Sequence, residues 1–141
     1  MKGMMVMTNL EKVDEFLNEA GVFFVSTVDG DQPVMRPFNV HYILDGKLCF
    51  ETGDKKNVYK QMMANPKVQI TAINRKTEWL RITGTVSLAP DQSRAEQHFY
   101  GSRFIRENYE KMGMMLHTFQ IDEATVEKNT WQPLEKFDLY E

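Results

Sequence analysis

The sequence predicts a mainly β fold, an antiparallel barrel of six to seven strands with a few helices, and three observations lead there. β-branched and aromatic runs are separated by the residues that tight turns demand, Asp29-Gly30-Asp31 and Asp45-Gly46. Strands joined by such short turns must be antiparallel, because a parallel pair needs a crossover of about a dozen residues or more. Several of them within 141 residues close best into a barrel, which removes exposed sheet edges. No G-x-G-x-x-G segment argues for a doubly wound nucleotide fold instead.

In chain order, Thr8 to Ala20 carries Leu10, Val13, Phe16 and Leu17 at helical spacing, with Thr8 or Asn9 as N-cap and Gly21 as the stop. Val22 to Val28 and a long strand from Val34 to Leu44 form the first hairpin. Asp45-Gly46, the dipeptide favoured in a two-residue type I′ turn, leads into the alternating run Lys47 to Thr52. Lys56 to Ala64 pairs Val58 with Met62 and Tyr59 with Met63 at helical spacing, with Asp54 as N-cap and Pro66 beyond the end. Val68 to Asn74 and Glu78 to Leu88 are strands joined by a polar turn at Arg75, Lys76 and Thr77. Asp91 to Tyr100 and Phe104 to Met112 read as short helices, and Leu116 to Ile121 with Ala124 to Thr130 as closing strands.

Composition sets the class. The chain is 42% hydrophobic and 26% charged, as in one compact domain spanning residues 1–141. Seventeen Lys plus Arg against twenty Asp plus Glu leave a net charge of −3, which supplies no global field for nucleic acid or an anionic membrane. No run approaches the roughly 20 apolar residues of a membrane span, and the Met-rich stretch from Met1 to Met7, broken by Lys2, has no secretory core. A lone Cys49 excludes an internal disulfide and fits a reducing compartment, so the expected location is cytoplasmic. His41, His98 and His117 show no ligand spacing with one another or with Cys49, and no metal is expected. Cys49 lacks a His partner and reads as structural.

Two places carry chemistry. On the Val34 to Leu44 strand, Arg36 interrupts a face of Val34, Phe38, Val40, Tyr42 and Leu44. A guanidinium aimed at apolar surroundings must find an anion or carbonyls, and a salt bridge to a strand carboxylate would serve as well as a ligand. Pro37 beside it marks an edge or a bulge. In Thr52-Gly53-Asp54-Lys55-Lys56-Asn57, a strand end is followed by two lysines at a helix start. Lysines oppose the macrodipole there unless an anion sits among them, although Asp54 could offset the charge instead. A phosphate monoester held by the Thr52 hydroxyl, loop amides, a lysine and a bidentate Arg36 would suit the position. On Glu78 to Leu88, Leu80, Ile82, Val86 and Leu88 form the core face. Trp79 and Arg81 lie on the other, fitting a planar ligand, a subunit interface or a barrel wall.

These segments, from Phe-Phe-Val-Ser-Thr-Val-Asp-Gly through Arg36-Pro37-Phe38, Thr52-Gly53, Lys55-Lys56-Asn57-Val58 and Asn65-Pro66-Lys67-Val68 to Trp79-Leu80-Arg81-Ile82-Thr83-Gly84, together form an ordered pattern. The pattern resembles the pyridoxamine 5′-phosphate oxidase-like flavoproteins, and among them the short bacterial members that include nitroimidazole-resistance reductases. The resemblance implies a split β-barrel homodimer with FMN at the subunit interface. It places Arg36, Pro37, Phe38 and Asn39 along the isoalloxazine and ribityl chain, Arg36 and Lys56 on the phosphate, and Thr52 with Gly53 close to it. Lys55 and Asn57 become adjacent supports, and Trp79 and Arg81 approach from the second subunit. The substrate-binding C-terminal segment of true pyridoxamine 5′-phosphate oxidase has no counterpart here, so the expected activity is that of an FMN-dependent oxidoreductase. It would carry hydride from a reduced nicotinamide to a small acceptor such as a nitro compound, a quinone or oxygen, with no obligatory catalytic side chain. Rival readings are a flavin or haem carrier, for which His41 and Tyr42 are the candidate axial ligands, a deazaflavin protein, and an empty interaction module.

Overall fold

A computed structural model describes residues 6–97 and 103–141. The expected features at residues 1–5, His98 and the end of the helix reaching Tyr100 lie outside the described residues. The remaining segments form α1 (Asn9–Ala20), β1 (Phe23–Asp29), β2 (Gln32–Phe38), β3 (His41–Leu44), β4 (Lys47–Gly53) and α2 (Asn57–Ala64). They continue as β5 (Lys67–Ile73), β6 (Trp79–Leu88), α3 (Gln92–Gln97), α4 (Arg103–Lys111), β7 (Leu116–Asn129) and β8 (Glu135–Asp138).

Local chemistry explains the ends of these elements. Thr8 caps α1, its Oγ1 accepting from Glu11 N at 3.1 Å while Glu11 Oε1 accepts from Thr8 N at 2.9 Å, a reciprocal capping box. Those bonds hold the exposed Glu11 carboxyl below the usual carboxylate range. Asp45 and Gly46 both take positive φ, 51° and 73°, as a type I′ turn between β3 and β4 requires.

All eight strands join one antiparallel sheet in the order β2-β1-β5-β6-β7-β4-β3, with β8 on the free stretch of β7. β7 pairs with β6 along one edge, while its other edge serves β4 over Leu116–Gln120 and β8 over Thr125–Lys128. Between those stretches the register with β6 slips at Thr85/Val86, leaving Asp122 as the extra residue. Tyr140 secures this irregularity: its hydroxyl donates to Ile121 O and accepts from Leu48 N at 3.1 Å. Burial pushes that phenol up to about 12.

Consecutive strands β2 and β3 therefore sit at opposite ends of the sheet. The sheet curls until Phe38, at the end of β2, meets Phe50 of β4 with ring centroids 5.4 Å apart, yet no ladder joins β2 to β3. The result is a split barrel, its interior filled by Phe23, Val25, Phe50, Ile70, Leu80, Ile82, Phe119, Ile121 and Val126 and packed by Val13, Phe16 and Leu17 of α1.

Three expectations are corrected. The long strand Val34 to Leu44 breaks at Asn39 and Val40, because the chain leaves the β1 edge and crosses the split to pair with β4. Leu116 to Thr130 is one strand rather than two, since the extra residue at Asp122 is absorbed without ending the ladder with β6. β8 goes unread because Glu135–Asp138 shows only one half-buried apolar residue, Phe137. The count is accordingly eight strands where six to seven are predicted.

Candidate functional site

At the split, β2, β4, the start of α2 and α4 enclose a cleft of about 250 Å³. Six of the residues singled out from the sequence line it: Arg36, Pro37, Phe38, Asn39, Thr52 and Lys56. Val40, Glu51, Val58, Tyr109 and Leu116 complete the wall.

Arg36 faces inward because it pairs with Val25 on the core side of β1. One terminal nitrogen donates to Thr27 Oγ1 at 2.7 Å, Val34 O at 3.1 Å and Val25 O at 3.2 Å, and the other donates to Gln61 Oε1 at 2.7 Å. Every one of these acceptors is neutral. No described carboxylate lies within ion-pair distance, so the salt bridge considered for Arg36 does not form; carbonyls, a hydroxyl and an amide hold the guanidinium in one orientation. Burial lowers its tendency to stay protonated, but an arginine keeps its charge at any physiological pH.

Lys56 brings the second cation. It is the N-cap residue of α2, in extended conformation, with no side-chain cap and no acid in the first turn of the helix. The expected cap, Asp54, is drawn away to the residue preceding β7, where Oδ1 accepts from Met115 N at 3.0 Å and the Asp54 amide donates to Met115 O at 2.9 Å. Lys56 Nζ donates to Tyr109 OH at 2.6 Å, so its described partner is also neutral. Thr52 is buried and lines the same cleft as the two cations.

The other predicted residues are placed elsewhere. Gly53 abuts the cleft cover: a Cβ on it would lie 3.0 Å from Met114 Sδ and 3.5 Å from the Tyr109 ring. Lys55 points toward Gly113, and Asn57 borders a separate hollow with Lys60 and Gln61. Trp79 and Arg81 occupy the outward face of β6, where Arg81 lies 5.2 Å from the indole and its Nε meets Glu127 Oε1 at 3.0 Å. Within one chain they do not reach the cleft wall.

Sequence reading missed Thr27, Gln61, Glu51 and Tyr109. Glu51 gives no signal of its own in the sequence, where it is one polar residue of the alternating run Lys47 to Thr52. It accepts through Oε1 from Tyr42 OH at 2.8 Å and Thr118 Oγ1 at 3.2 Å, while Oε2 is buried with no hydrogen-bond partner among the described residues. Burial pushes its carboxyl up. Next to it on β4, Cys49 packs with Leu44, Ala95 and Tyr42, and burial pushes its thiol up to about 12. Iodoacetamide at mildly alkaline pH is therefore expected to leave the native thiol unmodified and to label it once in denaturant, by mass spectrometry; rapid labelling of the native protein would contradict the burial.

Comparison with known proteins shows the family and the fold. A family model described as pyridoxamine 5′-phosphate oxidase matches residues 10–130. A crystal structure of a NimC/NimA family protein from Clostridium acetobutylicum is similar at 29% identity over 92% of each chain, with a TM-score of 0.79. Two others share the fold at low identity. One is a pyridoxamine 5′-phosphate oxidase-related, FMN-binding protein from Nostoc punctiforme (14% identity, 96% of this chain and 98% of that one, TM-score 0.62). The other is a haem-binding protein from Mycobacterium smegmatis (9% identity, 96% and 60%, TM-score 0.73). No curated protein matches the chain in sequence.

Proposed function

Because the chain belongs to the pyridoxamine 5′-phosphate oxidase family, we propose that it binds FMN at the split of the barrel and works as a homodimeric, cytoplasmic oxidoreductase. The observation that carries this is the pair of cations in the cleft, Arg36 and Lys56, whose described partners are all neutral and which stand beside a helix start without an acid. A cleft with that charge suits a phosphate monoester. Arg36 and Lys56 would hold the phosphate, with the Thr52 hydroxyl close to it and Gly53, Lys55 and Asn57 as neighbouring supports. Pro37, Phe38 and Asn39 would border the ribityl chain and ring. When bound, FMN supplies the hydride and electron chemistry, from a reduced nicotinamide to a small acceptor such as a nitro compound or a quinone.

Two features support a dimer. The cleft of one chain, about 250 Å³, falls below the ~300–1,000 Å³ of sites that enclose a ligand. The outward faces of β1, β2 and β5 leave Phe24, Met35 and Ile73 exposed, Met35 by 60% and Ile73 by 54%. They adjoin Trp79 and Arg81 through the pairs Ile73↔Trp79 and Thr71↔Arg81. A second copy docked on this surface would bring its own Trp79 and Arg81 toward the flavin.

The haem reading is disfavoured by its own candidate ligands. His41 Nδ1 is bound to Asp14 Oδ1 at 2.7 Å with the ring edge-on to Phe23, and the Tyr42 hydroxyl is engaged by Glu51 and Thr118. Neither lines the cleft. The test is the visible spectrum of the purified protein, with the mass of what heat releases and the molar mass in solution. Flavin bands, FMN and a dimer are expected. A colourless protein that takes up no added FMN would overturn the proposal, a released deazaflavin would replace the cofactor, and a Soret band would restore haem.

A further inference from the structure

Arg36 has two side-chain anchors to which the flavin reading gives no role, Thr27 and Gln61. Thr27 stands on the inward face of β1, two residues beyond Val25, and is only 1% exposed. Gln61 precedes the buried Met62 on α2, the helix that packs against β1. The Thr27 hydroxyl donates to Gln61 Oε1 at 2.5 Å, so the two oxygens stand side by side. Each takes a hydrogen from a different terminal nitrogen of Arg36, both at 2.7 Å. Two adjacent oxygens on the two terminal nitrogens are what a carboxylate presents to an arginine, built here from a hydroxyl and an amide.

The guanidinium carries five hydrogens. The end that meets Thr27 and Gln61 uses one from each terminal nitrogen, and the carbonyls of Val25 and Val34 take up the second on Nη1. Nε–H and one hydrogen of Nη2 remain, on one edge of the plane, with no partner among the described residues. The buried nitrogens left without a partner belong to Arg106 and His117, not to Arg36. Arg36 is half-buried and lines the cleft, and with its other sides closed by protein, the Nε and Nη2 edge is the one an anion can meet, by two parallel bonds. An acid at either anchor would hold the fork equally well, but it would also neutralise the cation and repel a second anion.

We propose that Gln61 and Thr27 are positioning residues that fix Arg36 without neutralising it, so that the cleft selects a ligand ending in a phosphate monoester over the same molecule without the phosphate. The proposal rests on the reading of the cleft as the FMN site for its occupant, and on this chain alone for the neutral fork. Gln61 is the more telling of the pair, because a glutamate has its shape and differs in charge.

Gln61→Glu therefore tests the charge with little change in packing. FMN, titrated by fluorescence into flavin-free protein, should bind about 100-fold more weakly than to wild type, the scale of losing charge-assisted bonds to an anion. Riboflavin, which has the ring and ribityl chain without the phosphate, should keep its affinity. Tm of the flavin-free variant should stay level or rise, because the half-buried guanidinium gains a counter-ion. A role in packing alone would lower Tm and weaken both flavins together; that result, or unchanged FMN affinity, overturns the proposal. Should Gln61→Glu fail to fold, Gln61→Ala decides, since alanine suits a helix. Arg36 then loses the anchor on Nη2, and FMN should weaken by about tenfold with riboflavin unmoved; equal FMN affinity overturns the proposal. Inorganic phosphate separates the fork from the flavin. Exchanged for chloride at equal ionic strength, it should raise Tm of the wild type more than that of Gln61→Glu. A wild type that takes up neither flavin yet keeps this difference fails the flavin reading and leaves the fork standing. Equal phosphate responses with no flavin uptake overturn both.

Discussion

Arg36→Ala is expected to weaken FMN binding by about 3 kcal/mol, roughly a 150-fold rise in Kd, the scale of losing charge-assisted bonds to an anion. Lys56→Ala should act in the same direction and less, since Lys56 is an exposed point charge that swings on a flexible stem, whereas Arg36 is fixed by four bonds. Arg36→Lys separates charge from shape: it keeps the cation, loses the fork, and should fall between wild type and Arg36→Ala. Because Arg36 also ties β2 to β1 and to Gln61 of α2, the alanine variant should lose about 1–2 kcal/mol of stability. Circular dichroism of the flavin-free variant checks that the fold survives, and fluorescence titration then reads the affinity. Unchanged affinity in both alanine variants would remove the phosphate from this end of the cleft.

Gly84→Ala should be the most damaging alanine substitution among the described glycines. Gly84 lies opposite Ala124 in the β6–β7 ladder, and a Cβ there would sit 2.0 Å from Glu123 O, 2.7 Å from Ala124 Cβ and 2.9 Å from Ala124 Cα. Two of these three atoms are backbone, so no rotamer change relieves the collision. The strand would have to move where its register already shifts, one residue away at Thr85/Val86. The loss is expected at about 3 kcal/mol, the upper part of the range for overpacking, read as a lower urea midpoint at unchanged m. A midpoint equal to wild type would mean that β6 and β7 stand farther apart than described.

What could be read in advance was local. The type I′ turn at Asp45-Gly46 and the Thr8 cap depend on a few adjacent residues, and the inward aim of Arg36 depends only on the pleat of β2 and the adjoining hairpin strand β1. The break at Asn39 and Val40 is different, since it is set by β4 waiting across the split, and the alternation Val34, Arg36, Phe38, Val40, Tyr42, Leu44 runs straight through it. Asp54 looked like a helix cap because it precedes α2; its partner, Met115, is 61 residues away. Glu51 and Tyr109 reach the cleft by the same kind of distant contact, through β4 pairing with β7 and α4 folding back over Lys56. Six of the eleven residues of the cleft wall were therefore legible, all of them in the segments around Arg36 and the start of α2 that the sequence pattern singles out.

The open seam between β2 and β3 also bears on solubility. A closed barrel has no free edge, whereas this seam exposes two, on β2 and β3, and a free edge is a template for pairing with another chain. Both are blunted. On β2, Pro33 and Pro37 are four residues apart, so their nitrogens face the same way, and proline fits the ladder with β1 only if that way is outward. The edge thus loses donors where an incoming strand would need them. β3 is only four residues long, too short to recruit a partner. Sheet extension into filaments is suppressed on both sides of the cleft, which leaves the apolar outer face as the surface through which copies can associate.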